Sequence, residues 1–294
     1  MTMYSTYDQI GIAEDISDVI TNISPTKTPF QTSIGSEKVD NRLFQWQEDS
    51  LRTQAANKFL EGFTATDVAR TPTVMRQNYT QIMSDVFKIT ATADVVKTYG
   101  RAKETAYQLA KTGEELKRDL EFTFVGRNGA AVAGAETVTP REMASALNMI
   151  DAGNVIAGGT AALTETMILN CHRATYDAGG EPEILMIKPA DALIVAGFAA
   201  ASGRQRDFAS NRTITNVVDL YVSPWGELKV VINRFILSTV AFMYNPDMYK
   251  KCVLRNWTRE KLAKDGDSER HMVVGEFSLK HKNFKAAGYV NAIT

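Results

Sequence analysis

The sequence predicts an α+β fold, and three observations carry that reading. A long, mostly polar ribbon runs from about Asp40 to Val96, one long helix follows from Lys97 to Val125, and the last third turns to strand-forming segments. The ribbon leaves as Leu43-Phe44-Gln45-Trp46-Gln47 and returns as Phe87-Lys88-Ile89-Thr90-Ala91-Thr92-Ala93. Its middle, from Leu51 to Asn78, has few apolar residues to bury. Such an arm gains stability most easily by lying on other copies of the chain.

Before the ribbon, residues 1–40 have little core of their own. Ile12, Ile16, Val19, Ile20 and Ile23 form a short amphipathic stripe, with Glu14, Asp15 and Asp18 early in it. The stretch Ser24-Pro25-Thr26-Lys27-Thr28-Pro29-Phe30 is expected to break any helix, because each proline biases its predecessor toward extended geometry. In the returning strand, Phe87, Ile89, Ala91, Ala93 and Val95 fall every second residue, the period of a strand with one buried face. Phe44 and Trp46 share one face of the outgoing strand. At the tip, Lys58-Phe59-Leu60-Glu61-Gly62-Phe63 places a small apolar cluster on a polar arm. Composition alone leaves it open between a surface loop with incidental aromatics and a contact that docks on a neighbour.

The long helix carries Tyr99, Ala102, Ala106, Leu109, Gly113, Leu116, Leu120 and Phe124 at three- and four-residue steps, one continuous stripe. Arg101, Glu104, Gln108, Lys111, Glu115 and Arg118 occupy the other side, with Glu114 and Arg118 spaced for an ion pair. At 1.5 Å per residue it would span roughly 40 Å. Gly126, Asn128 and Gly129 stop it. A short helix is predicted from Arg141 to Ile150, behind Pro140. An α/β unit follows, with a helix over Leu163–Tyr176 capped by Thr160 or Thr164, a buried strand Ile184–Ile187, and a helix from Pro189-Ala190-Asp191 to about Ala200. Ser202 to Asn211 reads as a polar loop with Arg204, Arg206 and, just beyond, Arg212. Val217–Val222 and Leu228–Ile232 flank Ser223-Pro224-Trp225-Gly226 as a hairpin. Ala241–Tyr244, Lys250–Leu254, His271–Leu279 and Asn283–Val290 add strands, with a turn at Lys264–Ser268.

Composition narrows the function. The chain has 294 residues, enough for a large core. Its 33 basic and 34 acidic residues leave a net charge of −1, which argues against a protein whose main work is gripping nucleic-acid phosphates. Cys171 and Cys252 are the only cysteines and read as reduced, buried thiols rather than a disulfide framework. No basic-then-apolar leader is visible in residues 1–12. The longest apolar run, Ala192–Ala201, is too short to span a bilayer, so a soluble protein made in a cytoplasm is expected.

Catalytic and cofactor motifs are missing. There is no phosphate loop, zincin helix, nucleophile elbow, C-x-x-C pair or dinucleotide fingerprint. Cys171 beside His172 could be taken for a dyad, but neighbours on a helix point about 100° apart. Asp265-Gly266-Asp267 resembles part of a calcium loop and lacks the remaining ligands. Lys250, Lys251, Arg255, Arg259, Lys261 and Lys264 surround Trp257, a possible basic stripe with a stacking aromatic. The interspersed Asp247, Glu260, Asp265 and Asp267 favour a salt-bridging face instead. No enzyme, cofactor or metal is expected.

The order of elements resembles the Hong Kong 97 (HK-97) fold of tailed-bacteriophage major capsid proteins. Asp15–Ile20 followed by Ser24–Phe30 is similar to the N-terminal signature of one branch of these shell proteins, formerly catalogued as a family of unknown function. So are Gln45–Leu51, Glu115–Leu120, Gly179-Gly180-Glu181-Pro182, Val222–Gly226 and Leu262–Asp267, in order and across nearly the whole chain. The resemblance implies an N-terminal arm at 1–40 and an extended β-hairpin loop at 41–95. It implies a peripheral domain at 96–140 and 238–294 with its spine helix at 97–125, and an axial domain at 141–237.

On this resemblance the protein is a major capsid protein that assembles as hexamers and pentamers into an icosahedral head shell around packaged viral DNA. Its partners would be other copies of itself, a separate scaffolding protein, a portal and decoration proteins, with assembly in the host cytoplasm. Double-stranded DNA would be enclosed without sequence-specific binding, and no membrane is involved. The candidate inter-subunit contacts are Phe30, Trp46, Lys58, Phe59, Leu60, Glu61 and Phe63. Some relatives cross-link through a lysine of the extended loop; Lys58 sits in such a place, but the sequence does not assign the partner Asn and catalytic Glu, and no cross-link is expected. An encapsulin-like compartment shell shares the fold and is the alternative. An enzyme or a tail component is a third reading.

Overall fold

The computed structural model describes residues 27–100, 102–201, 220–264 and 266–294. The amphipathic stripe at 12–23, the polar loop at 202–211 and Arg212 lie outside the described residues. Two sheets organise the chain. A four-stranded sheet has the order β1-β10-β11-β4, from β1 (Gly35–Lys38), β4 (Gln81–Thr90), β10 (Tyr249–Lys261) and β11 (Ser268–His281). A six-stranded sheet has the order β5-β12-β9-β6-β8-β7, from β5 (Val155–Ala161), β6 (Ile184–Ile187), β7 (Leu220–Ser223), β8 (Gly226–Ile232), β9 (Ala241–Tyr244) and β12 (Gly288–Ile293). A separate two-stranded ribbon pairs β2 (Leu43–Glu48) with β3 (Val74–Tyr79). The helices are α1 (Pro29–Ser33), α2 (Ala91–Val95), α3 (Glu104–Val125), α4 (Glu165–Asp177) and α5 (Asp191–Ala201).

Several sequence expectations shift. The outgoing strand β2 pairs with β3, a strand the composition of 51–78 concealed, while the Phe87 segment belongs to β4 and pairs with β11. The long helix starts at Glu104 rather than Lys97. Thr90 Oγ accepts the amide of Ala93 and turns Ala91–Val95 into the short helix α2 instead of continuing the strand. α2 ends where Val96 turns extended, and Gly100 then takes φ +75°, a left-handed conformation in the link between α2 and α3. Asp94 accepts hydrogen bonds from the backbone N–H (3.1 Å) and hydroxyl (3.0 Å) of Thr105, supplying from outside the helix the cap that Lys103 lacks. Tyr99 and Ala102 therefore leave the stripe. On the polar face Lys111 pairs with Glu115, and Arg118 lies over the Phe235 ring.

Pro29 opens a one-turn helix instead of breaking one, as proline does at the first helical position. The segment predicted helical at 141–150 is mostly extended, bridged at Val132–Glu142, with a 3-10 turn at Leu147–Met149. The last strand begins at Gly288, later than Asn283. Thr164 caps α4 by accepting the Met167 amide, and β7–β8 form the expected hairpin within the described residues. The expected boundary at 237/238 cuts through the six-stranded sheet. β9 and β12 lie beyond it, yet β9 pairs with β6 and β12 with β5.

The central strands β6 and β9 of the six-stranded sheet are buried on both faces, which accounts for their uninterrupted apolar runs. Leu185, Ile187, Ala241 and Met243 face one cluster with Ile168 and Cys171 of α4 and Val195 of α5. Met186, Phe242 and Tyr244 face the larger cluster with Leu120 and Phe124 of α3. Phe30 sits at the centre of that second cluster, fully buried. Its ring lies 5.2 Å from Tyr244, 5.5 Å from Tyr249, 5.9 Å from Phe124 and 6.1 Å from Phe242.

Glu121 fixes the approach of Phe30. Its Oε1 accepts the Phe30 amide at 2.8 Å and the Asn233 side-chain N–H at 2.8 Å, and its Oε2 accepts the Gln31 amide at 3.0 Å. Burial raises the Glu121 carboxyl above its ordinary range, against the opposing pull of these hydrogen bonds. Elsewhere in the same cluster His281 stacks on Tyr249 at 4.1 Å and donates from Nδ1 to the Met149 carbonyl at 2.6 Å. Burial pushes its imidazole down to about 4.

Two outcomes are expected. Phe30→Ala empties the centre of an aromatic cluster and should cost about 3–5 kcal/mol, read from denaturant midpoints of the dissociated subunit. His281 stays neutral in the fold while the unfolded chain takes up its proton near the ordinary value of 6.5. Stability is therefore lost as pH falls from about 6.5 toward 4, by up to roughly 3 kcal/mol from this group. His281→Phe should lower stability at pH 7, because the Met149 carbonyl loses its donor, yet flatten the change between pH 7 and 4.5. An unaltered slope would contradict the assignment.

Candidate assembly interface

The ribbon is anchored by its root. Trp46 is buried, stacked on Phe44 at 5.7 Å and tilted against Phe284 at 6.5 Å. Arg76 crosses from the paired strand to bond Glu48 at 2.7 Å, and its guanidinium lies 4.2 Å over the Phe284 ring. Asn78 is fully buried and joins three segments: its side-chain N–H donates to the Leu279 carbonyl, and its oxygen accepts the amides of Tyr79 and Ala144. Thr80 donates to Glu276 at 2.6 Å. Glu276, itself buried, pairs with Arg141 at 2.6 Å and Arg255 at 3.1 Å. One carboxylate thus holds the end of the ribbon, the 141 segment and the four-stranded sheet together. Breaking such a buried pair from one side leaves an uncompensated charge.

Beyond this root the chain buries nothing. Every residue from 49 to 75 is exposed. At the tip Phe59 and Phe63 stack on each other with centroids 4.5 Å apart, and the Phe63 amide closes a turn on the Leu60 carbonyl. Gly62 makes that turn possible with φ +76°. Leu60 is 86% exposed and Leu51 97%. Lys58 and Glu61 flank the aromatic pair and are exposed too.

The seven candidate contact residues therefore divide. Lys58, Phe59, Leu60, Glu61 and Phe63 share one exposed tip. Phe30 and Trp46 are spent inside the subunit, because their rings complete the chain's own clusters and offer a neighbour no surface. The sequence reading missed Asn78, Thr80, Arg141, Glu121 and Glu276 as the residues that aim the loop and fasten the arm. The one signal for Glu276 was a charge inside the apolar run Met272–Leu279.

Other candidates resolve into structural roles. Cys171 and His172 diverge: the thiol faces the Asn154 carbonyl, and His172 Nδ1 lies 2.8 Å from Ser223 Oγ. Ser223 also donates to the Gly226 carbonyl and accepts the Trp225 amide, so the group fastens the β7–β8 turn to α4. Burial pushes both cysteine thiols up to about 12 and keeps them protonated. Part of the basic stripe is paired within the subunit, Arg255 with Glu276 and both Lys261 and Lys264 with Glu269, while Trp257 packs on Phe277 at 4.6 Å. Among the described residues no three His, Cys, Asp or Glu side chains gather to hold a metal, and no helix is long and apolar enough to cross a membrane.

Comparison with known proteins agrees with this architecture. The family model described as SU10 major capsid protein matches residues 2–294. The major capsid protein of Escherichia phage Phieco32 is 30% identical over 337 aligned positions, covering 98% of this chain and 96% of that protein. The capsid of a native GTA particle superposes with TM-score 0.70 at 10% identity, over 96% of each chain. The holo-SrpI encapsulin of Synechococcus elongatus PCC 7942 superposes with TM-score 0.64 at 9% identity, covering all of this chain and 96% of that one. These distant structures establish the fold alone. The full-length family match and the Phieco32 relative go further: the chain belongs to the SU10 major capsid protein family, phage capsid shell proteins built on the HK-97-like fold.

Proposed function

We propose that this shell protein assembles as hexamers and pentamers into an icosahedral head around double-stranded DNA, and that the 49–75 loop is the strap that joins neighbouring copies. The observation that carries the reading is an exposed aromatic pair at the end of a loop with no intrachain packing, on a root locked by Trp46, Asn78 and Glu276. Exposed apolar tips of this kind mark contact surfaces, and buried aromatic anchors dominate the energy of such contacts. In a closed shell every subunit offers one tip and receives another, so a single pair of surfaces repeats around each ring.

The subdomains follow the sheets. The four-stranded sheet and α3 form the peripheral unit, and the six-stranded sheet with α4 and α5 forms the axial unit around the five- and six-fold axes. The work is geometric rather than catalytic. A separate scaffolding protein and a portal complete the particle, assembled in the host cytoplasm.

Amide hydrogen exchange compares the two states directly. Residues 49–75 should exchange freely in the dissociated subunit and become protected in the shell; equal protection in both would sink the strap. Phe59→Ala with Phe63→Ala should raise the concentration needed for assembly at least about tenfold, the size of a modest hot spot, without moving the unfolding midpoint of the free subunit. Denaturing gels of mature particles should show monomer bands, with no ladder through Lys58.

A further inference from the structure

One cleft outside the loop gathers positive charge that the fold does not use. It has a volume of about 640 Å3 and opens between α1, α3 and the strands β6, β8 and β9. Lys27, Lys117 and Lys229 line it, each from a different part of the chain. Among the described residues no carboxylate lines it. Glu121 acts electrostatically on the neighbouring Tyr244 hydroxyl, but its oxygens already accept from Phe30, Gln31 and Asn233. Thr28 also lines the cleft, only 3% exposed, and its hydroxyl has no hydrogen-bond partner among the described residues. Beside the cleft, burial first, and then the charge of Lys117, holds the Lys251 ammonium below the usual range.

We propose that this cleft binds phosphate groups, the phosphodiesters of nucleic acid or free phosphate. A phosphate concentrates its charge on one centre and presents several acceptor oxygens, which suits three lysines lining one cleft and a hydroxyl lacking a partner. An acidic peptide carries single charges spaced along a chain, a poorer match to cations gathered at one opening. The chain as a whole is nearly neutral, so a local cluster, and not net charge, would do the holding. The inference does not rest on the docking of the loop.

The test uses the full chain, both as dissociated subunit and as assembled shell, with three probes: pyrophosphate, a short double-stranded DNA, and a synthetic acidic peptide. Lys27→Gln, Lys117→Gln and Lys229→Gln are combined in one variant. The control combines Lys38→Gln, Lys111→Gln and Lys282→Gln, three exposed lysines that remove the same charge elsewhere. Saturable binding of pyrophosphate or DNA, weakened about tenfold or more by the cleft variant and little by the control, supports the proposal. For DNA, the slope of log affinity against log salt should also fall by about 2–3. Competition between the two probes tells whether nucleic acid or free phosphate is the source. Thr28→Val should weaken pyrophosphate binding while leaving the unfolding midpoint near that of the parent. Equal losses in control and cleft variants, binding of the acidic peptide alone, or no saturable binding would each overturn it.

Discussion

The buried carboxylate of Glu121 is the constraint on which the rest of the subunit depends. A charged group in an apolar interior is costly unless its acceptor capacity is filled. Here it is filled by two amides of α1 and the side chain of Asn233. Meeting that requirement draws the end of the arm onto α3 and delivers Phe30 into the aromatic cluster shared by α3, β9 and the start of β10. The four-stranded and six-stranded sheets meet over this ring. The arm is therefore part of the core at its last few residues.

The same economy governs the loop, with the opposite outcome. Its root satisfies the buried polar side chains of Asn78, Thr80 and the doubly paired Glu276 internally. Its tip satisfies none, since Phe59 and Phe63 cover only each other. A rigid root and an unsatisfied tip are what a contact element needs: direction is fixed before binding, and the apolar surface is withheld for the partner. Less freedom is then lost on association than for a loop that must also find its orientation.

The elements legible in sequence were those that local chemistry decides. Thr164 announces the start of α4, the run Ile184–Ile187 announces a doubly covered strand, and the Pro-Trp-Gly turn announces β7–β8. The misplacements came where distant residues decide. The amphipathic stripe from Tyr99 onward is genuine as a pattern, but Gly100 and the capping of Thr105 by Asp94 move the start of the helix to Glu104. The strand β3 was hidden because its partner β2, not its own composition, makes it a strand. For the contact residues, aromatic character alone could not separate Phe30 and Trp46, which the subunit keeps, from Phe59 and Phe63, which it exposes. That distinction depends on Glu121 and Phe284, far away in the chain.

The order of strands in the larger sheet also bears on timing. β5 is an edge strand whose partner is β12, and β12 also completes the pairing of β9. Because β12 follows β5 and β9 in the chain, synthesis delivers both of those strands before the one that joins them, and the larger sheet closes only through this long-range pairing.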